Sequence, residues 1–507
     1  MRRTLESSVP AVAPAPPSGQ QDVLVAVRNA LKLGLSLLLT WGVSIAVRFL
    51  LPRYLGPDTM APLTFAEAFA AAGYIALSLG VDMYIYREVP VRPAHASDFF
   101  GSVTLLRLVL FLGVGLALDA GLWLSGQPEA VRLLVAVFGA SQLFTTLGNS
   151  LAAMLHASTR VDGLSVVNVV TKAVWGAGVL LALVLGAHLA WVPAALLVSE
   201  ALRAAGLWRL CQRHVGLTWR VSRSVLGPVL LAGLPFFISH FASNFYQRLA
   251  VTTLNYQASP REVAWYGQAV QLAFIIMLAA PIVHWVLMPM LARAAHRATE
   301  ELAQRIRRAV ELVMAVVIPV ALGLFVGAEL WVELVYGREY APAAASLRLL
   351  APTLALTYVN TMTSMALIQL RRHWRVVANT VTAVGVNFAL NLLLIGPMGR
   401  WLGDGGAGAG AALALTLTEL CVAVSLGLTL GSTMFDRRSV AALLKTLGAC
   451  AAVVLVDRVL PLAPLARVAA GGVLYAALVL GSGAVRPREL LEVARAAMRK
   501  DAPEPAA

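Results

Sequence analysis

The stretch LGLSLLLTWGVSIAVRFLLPRYLGPDTMAPLTFAEAFAAAGYIALSLGVD, residues 33–82, decides the fold. It holds two apolar runs, split by a segment with three prolines and a glycine, Leu51 to Pro62. Each run is long enough to cross a hydrocarbon layer, which takes about 20 mostly apolar residues. Inside the first run, Ser36, Thr40, Ser44 and Arg48 recur every fourth residue. That spacing puts them on one helix face. A polar face within a bilayer is costly unless it looks onto a cavity or a partner helix.

The pattern recurs in the second half of the chain. Phe236, His240, Asn244 and Arg248 form a second stripe with the same spacing. Each stripe leads through a turn to a matching start of the next apolar run, Phe65-Ala66-Glu67-Ala68 in one half and Tyr266-Gly267-Gln268-Ala269 in the other. A third match pairs Asn168-Val169-Val170-Thr171 with Asn379-Thr380-Val381-Thr382. Three matches in the same order predict two repeats of like orientation, related by an axis along the membrane normal, with a transport path between them.

Composition places the whole chain in a membrane. Of 507 residues, 59% are hydrophobic and 13% charged, and the mean hydropathy is +0.77. Soluble proteins carry about 25% charged residues. The net charge of +14 does not point to nucleic acid, because the basic residues are spread over short loops between apolar runs, as positive-inside topology requires. The three cysteines, Cys211, Cys421 and Cys450, lie far apart in or beside apolar segments and read as packing residues. No nucleotide-binding loop, zinc-protease motif, paired-cysteine motif or serine elbow is present. The expectation is a protein that is not an enzyme and needs no cofactor or metal.

About fourteen candidate spans follow: 30–51, 62–82, 101–124, 132–155, 163–187, 190–211, 228–253, 264–290, 309–329, 346–369, 374–396, 406–431, 440–460 and 464–484. An amphipathic stretch, Leu330 to Pro342, precedes the tenth and is expected at the membrane interface. With the N-terminus inside, cytoplasmic loops and tails hold about three times as many Lys and Arg as the opposite loops. The expected class is an all-α polytopic membrane protein of about 14 transmembrane helices. Two six-helix lobes surround a central cavity, and two C-terminal helices are added. The corresponding divisions are a disordered tail (1–27), an N-lobe (28–222), a C-lobe (223–432), a final helix pair (433–485) and a cytoplasmic tail (486–507). Residues 1 to 22 lack the apolar core of a signal peptide. Both termini are expected in the cytoplasm.

The candidate functional residues are intramembrane charges and the stripe amides. Lys172 is the deepest cation, and Arg48 and Arg248 lie toward the outer ends of spans 1 and 7. A mid-membrane cation costs about 2.5–3.5 kcal/mol on insertion scales, so it faces a cavity or a partner. Together these three make a cationic lumen for an anionic substrate, unless their long side chains snorkel to headgroups. Arg107, about seven residues into span 3, is expected to snorkel to headgroups. Glu67 and Glu419 are the acids placed to pair with a cation or bind a coupling ion. His240, Asn244, Gln247, Gln268 and Gln271 are candidates for hydrogen bonding a glycan, or for joining helices.

The run RFLLPRYLGPDTMAPLTFAEAFAAAGYIALSLGVDMYIYREV (48–89) resembles the opening of the polysaccharide-biosynthesis flippases. ELVYGREYAPAAASLRLLAP (333–352) and NFALNLLLIGPMGRWLGDGGAGAGAALA (387–414) are similar to later parts of that family. The motifs belong to the superfamily that also holds the lipid II flippase and the MATE drug exporters. The resemblance implies two six-helix lobes, with spans 1, 2, 7 and 8 lining the cavity. It implies ion-driven alternating access that moves a polyprenyl-diphosphate-linked oligosaccharide across the bacterial inner membrane for O-antigen, exopolysaccharide or capsule assembly. Arg48 and Arg248 then suit the diphosphate, since Arg pairs bidentately with phosphate oxygens. Membrane lipids surround such a protein, and a polysaccharide polymerase and glycosyltransferases are its expected neighbours. A lipid II flippase and a drug/cation antiporter are the nearer alternatives. The cationic lumen disfavours the antiporter, and short loops disfavour a membrane-embedded polymerase or ligase.

Overall fold

In a computed structural model, residues 19–81, 85, 95–157, 163–186, 188–275, 299–370, 372–431, 437–459 and 463–483 are described. The helices are α1 (Gly19–Gly73), α2 (His95–Leu124), α3 (Glu129–Ala157), α4 (Leu164–Val184), α5 (Trp191–His214), α6 (Arg223–Gln257) and α7 (Pro260–Phe274). They continue as α8 (Thr299–Val326), α9 (Ala328–Tyr336), α10 (Ala343–Gln369), α11 (His373–Leu402), α12 (Gly406–Leu430), α13 (Arg437–Val459) and α14 (Pro464–Gly481). No strand occurs among the described residues.

Helix α1 holds two spans joined at a kink. Arg48 and Glu67 stand 19 positions apart, which on a straight helix is about 28 Å at 1.5 Å per residue. Their side chains are 3.7 Å apart, so the chain reverses between them. The reversal sits at Gly56, with φ +71° and ψ 168°. Glycine tolerates that conformation at no steric cost, and Pro57 then starts the second arm in its favoured first-turn position. The expected spans 1 and 2 are thus the two arms of α1. Counting both arms, and with α9 left out as a non-spanning segment, the helices number the fourteen spans expected. Among the described residues, eight helices, with α1 counted once, are long and apolar enough to cross a membrane.

Packing divides the helices into two bundles. Helices α1 to α5 pack on one another, and α6 to α12 on one another. The bundles meet where α1 touches α6 and α7. Helices α13 and α14 pack together and lean on α8. The repeat is visible inside each bundle. Asn168 of α4 accepts from Arg203 Nε of α5 at 3.1 Å, and Asn379 of α11 donates to the Val422 carbonyl of α12 at 3.3 Å. Matched asparagines therefore tie the fifth helix to the sixth in both halves.

Two local expectations change, and a third gains detail. Helix α1 begins at Gly19, so residues 19–27 are helical rather than a disordered tail. The last proline before it is Pro17, and nothing beyond that residue breaks a helix. The amphipathic stretch becomes α9, bent 76° from α8, with a 3-10 turn at Arg338–Tyr340. Arg107 does not snorkel. It is 1% exposed and donates to the Leu77 carbonyl at 2.8 Å, the Ser78 carbonyl at 3.4 Å and Ser150 Oγ at 3.0 Å. The 3-10 turn Tyr74–Ser78 ends α1 with carbonyls that no helix satisfies, and buried carbonyls need donors. The tail beyond residue 483, the first eighteen residues and the second half of span 8 lie outside the described residues.

Candidate functional site

At the end of the bundle pair that carries the Gly56 reversal, the two lobes touch closely. Arg261 donates Nε and a terminal NH2 to the two Asp58 carboxylate oxygens, both at 2.8 Å. Arg53 reaches the Leu334 carbonyl at 3.2 Å, and Tyr256 Oη bonds Ser125 Oγ at 3.1 Å. Phe49 packs edge-on against Tyr336 with ring centroids 5.9 Å apart. At the opposite end, beside the α5–α6 linker, the contact is backbone on backbone. A Cβ on Gly80 would stand 2.7 Å from the Gly233 carbonyl oxygen.

Between these ends lies a cavity of about 120 Å³, lined by Arg48, Glu67, Lys172, Trp175 and Gln271 among others. Four sequence candidates from α1, α4 and α7 thus converge on one space. Arg248 of α6 does not line this cavity, but it is within electrostatic reach of both Glu67 and Arg48. The Arg48–Glu67 contact, at 3.7 Å, exceeds hydrogen-bond length. Neither side chain, nor that of Arg248, makes a hydrogen bond among the described residues. Two other arginines are engaged with carboxylates through paired bonds. Arg132 holds Asp119 through two bonds of 2.7 and 2.8 Å, and Arg261 holds Asp58 equally well.

Lys172 is anchored differently. Its Nζ lies 3.4 Å from Glu200 Oε1 and 5.1 Å from the Trp175 ring centroid. Glu200 also accepts from Arg203 at 3.1 Å. Sequence reading missed Glu200, which is 4% exposed. Its position one helix away, at α5, gave no pattern to find, although an acid inside span 6 was itself a signal.

A second cavity, of about 450 Å³, lies within the C-terminal bundle and reaches Ser78 and Gly80 at the end of α1. His240, Gln247 and Glu419 line it, with Tyr246, Asn360 and several Ser and Thr hydroxyls. Glu419 is 1% exposed. Its carboxylate accepts from Tyr246 Oη at 2.8 Å and Asn360 Nδ2 at 2.6 Å. The two acids named from sequence, Glu67 and Glu419, therefore occupy different cavities. Of the amides, Asn244 turns back to the His240 carbonyl at 3.0 Å and lines neither cavity. Gln268 is fully buried with both amide atoms unpartnered, and also lines neither.

A profile of the family described as "Polysaccharide biosynthesis protein" matches residues 50–345. Among solved structures, the chain is similar to the lipid II flippase MurJ in an inward closed conformation. The TM-score is 0.64 at 13% identity, over 89% of this chain and 98% of that one. It is also similar to a multidrug resistance MATE family transporter of the MOP superfamily. In that protein's inward-facing form the TM-score is 0.57 at 16% identity, over 78% of this chain and 94% of that one. In its outward-facing form the TM-score is 0.53 at 16% identity, over 80% and 96%. A search of curated proteins by sequence gives no match.

Proposed function

Because the chain belongs to the polysaccharide biosynthesis protein family, we propose that it is a flippase. In this reading it moves a polyprenyl-diphosphate-linked oligosaccharide from the cytoplasmic to the outer leaflet of the bacterial inner membrane, by ion-coupled alternating access. The observation that carries the reading is Arg48, which lines the smaller cavity without making a hydrogen bond, with Arg248 of the other lobe within its electrostatic reach. Guanidinium groups with uncommitted donors suit a diphosphate, which accepts bidentately. Lys172 adds a second positive charge to the wall of that cavity. The hydroxyl-rich larger cavity, with His240 and Gln247 in its wall, suits sugar hydroxyls, and the tail remains in lipid.

The Gly56 end faces outward in this reading, since the loops on that side hold few basic residues. Glu67 and Glu419 are the candidates for coupling. A drug antiporter is less well supported, because a cationic drug would meet Arg48 and Lys172 in the wall of the smaller cavity. The test is lipid analysis of a strain lacking the protein. Accumulation of a diphosphate-linked oligosaccharide on the cytoplasmic leaflet, with loss of surface polysaccharide, is the expected result. Normal lipid-linked intermediates would overturn the proposal.

A further inference from the structure

We infer that Gln268 belongs to the transport path and is hidden in this conformation by the closed outer end. Opening that end brings its amide into water. Where the flippase reading above holds, on which this clause rests, the amide then meets the hydroxyls of a departing glycan. The basis is a seam between the second arm of α1 and α7. Asp58 meets Arg261, and a Cβ on Gly267 would stand 2.3 Å from Thr64 Cγ2 and 3.5 Å from its Oγ1. Both contacts join residues 203 positions apart, so the two helices run side by side in one register. From Asp58 to Thr64 the seam is about 9 Å long at 1.5 Å per residue. One turn further in, Glu67 and Gln271 line the smaller cavity, and the seam opens into it.

Gln268 sits in this seam. With 3.6 residues per turn, it lies about 20° from Arg261 around α7, about 60° from Gln271 and about 100° from Gly267. Those three residues face the second arm of α1 or the cavity it lines, and Gln268 falls inside the arc they span. Its side chain is fully buried, and neither Nε2 nor Oε1 has a hydrogen-bond partner among the described residues. Thr64 Oγ1 across the seam and Gln271 Oε1 at its inner end are buried and unpartnered as well. A buried amide without partners costs free energy that a methionine of similar size would not. A permanent helix contact gains nothing from such a residue. A contact that opens does gain, because water pairs the amide in the open state and the closed seam is weakened relative to it. Arg261, Gln268 and Gln271 then form one wet face of α7, from the outer surface to the cavity.

The experiment labels single introduced cysteines with an impermeant maleimide on the outer face of spheroplasts, and mass spectrometry identifies the modified residue. It needs no substrate. Leu63→Cys, in the wall of the smaller cavity, reports opening. Gln268→Met should slow labelling at residue 63 about 5- to 100-fold, the equilibrium change expected when one stranded buried polar group is removed. It should also raise thermal stability in detergent, and Thr64→Val should act in the same direction. Gln268→Cys should itself label from outside, and adding Asp58→Arg should speed it by the same factor as Leu63→Cys. Faster labelling and lower stability in Gln268→Met would overturn the inference and make Gln268 a tie that holds the seam shut. Unchanged labelling in Gln268→Met would overturn it too, as would a Gln268→Cys protein that stays unreactive while Leu63→Cys responds to Asp58→Arg. Normal lipid-linked intermediates in the deletion strain would overturn the flippase reading and leave the placement of Gln268 in the path standing.

Discussion

Asp58 and Arg261 form a two-bond ion pair between the lobes, at 2.8 Å for each bond, although both side chains are more than half exposed. Water competes for such a pair, so it costs little to break. That suits a contact that must open in every cycle. The charge reversal Asp58→Arg should loosen this end. A cysteine at Leu63, which is 2% exposed and lines the smaller cavity, should then react faster with an impermeant maleimide. The double reversal Asp58→Arg with Arg261→Asp should restore slow labelling. Equal rates in all three proteins would remove the pair from gating.

The same pair sets an expectation for pH. The hydrogen bonds from Arg261, with its charge, hold the Asp58 carboxyl below the ordinary carboxylate value. A depressed value means that the pair contributes fully above the ordinary value and fades only as pH falls through the depressed one. Between pH 6 and 8 the latch should therefore be insensitive to pH. A labelling rate at Leu63→Cys that changes steeply in this window would show that other groups govern closure.

Arg48→Ala and Arg248→Ala should each reduce transport about 10–100-fold at normal membrane levels. The figure follows from losing a charged hydrogen bond worth about 1.5–3 kcal/mol. Arg48→Lys should recover only part, because an ammonium cannot bind two phosphate oxygens in a planar fork. Flux of the lipid-linked glycan into the outer leaflet is the readout.

At Glu419, Tyr246→Phe removes one of the two side-chain donors. It should lower thermal stability by about 1–3 kcal/mol. Glu419→Gln should fold and still reach the membrane. If Glu419 carries the coupling ion, transport in this variant no longer responds to an imposed ion gradient. An unchanged gradient response would leave Glu419 as a helix tie between α6, α10 and α12.

Arg107→Leu should destabilise the N-terminal bundle by about 1–3 kcal/mol, because it strands the Leu77 carbonyl, while the Ser78 carbonyl keeps the Val81 N–H at 3.4 Å. Thermal unfolding in detergent measures this. Molecules that remain folded should transport normally, since Arg107 lines neither cavity.

Much of the architecture is one-dimensional information. Span lengths, the two polar stripes and the matched asparagines are all periodicities, and a periodicity survives in sequence. Partner identity does not. Glu419 meets Tyr246 from 173 residues away and Asn360 from 59, and no spacing rule links them. The same holds for Lys172 and Glu200, 28 residues apart on different helices. Arg107 was misread because insertion cost was weighed against headgroups alone. The demand came instead from the unsatisfied carbonyls at the end of a 3-10 turn, where Leu79 takes a left-handed conformation at φ 53°. Leu79-Gly80 was the available hint of such an ending.

Among the described residues, α10 does not qualify by itself as a membrane-crossing helix, which has a consequence for biosynthesis. It faces the larger cavity with Thr357, Asn360, Thr361 and Ser364, and a segment so polar partitions poorly into lipid by itself. Helix α12, synthesised later, is apolar enough to enter unaided and packs against α10. Insertion of α10 is therefore expected to be helped by α12. A ribosome stalled before α12 would leave α10 without the neighbour that makes it tolerable in the bilayer.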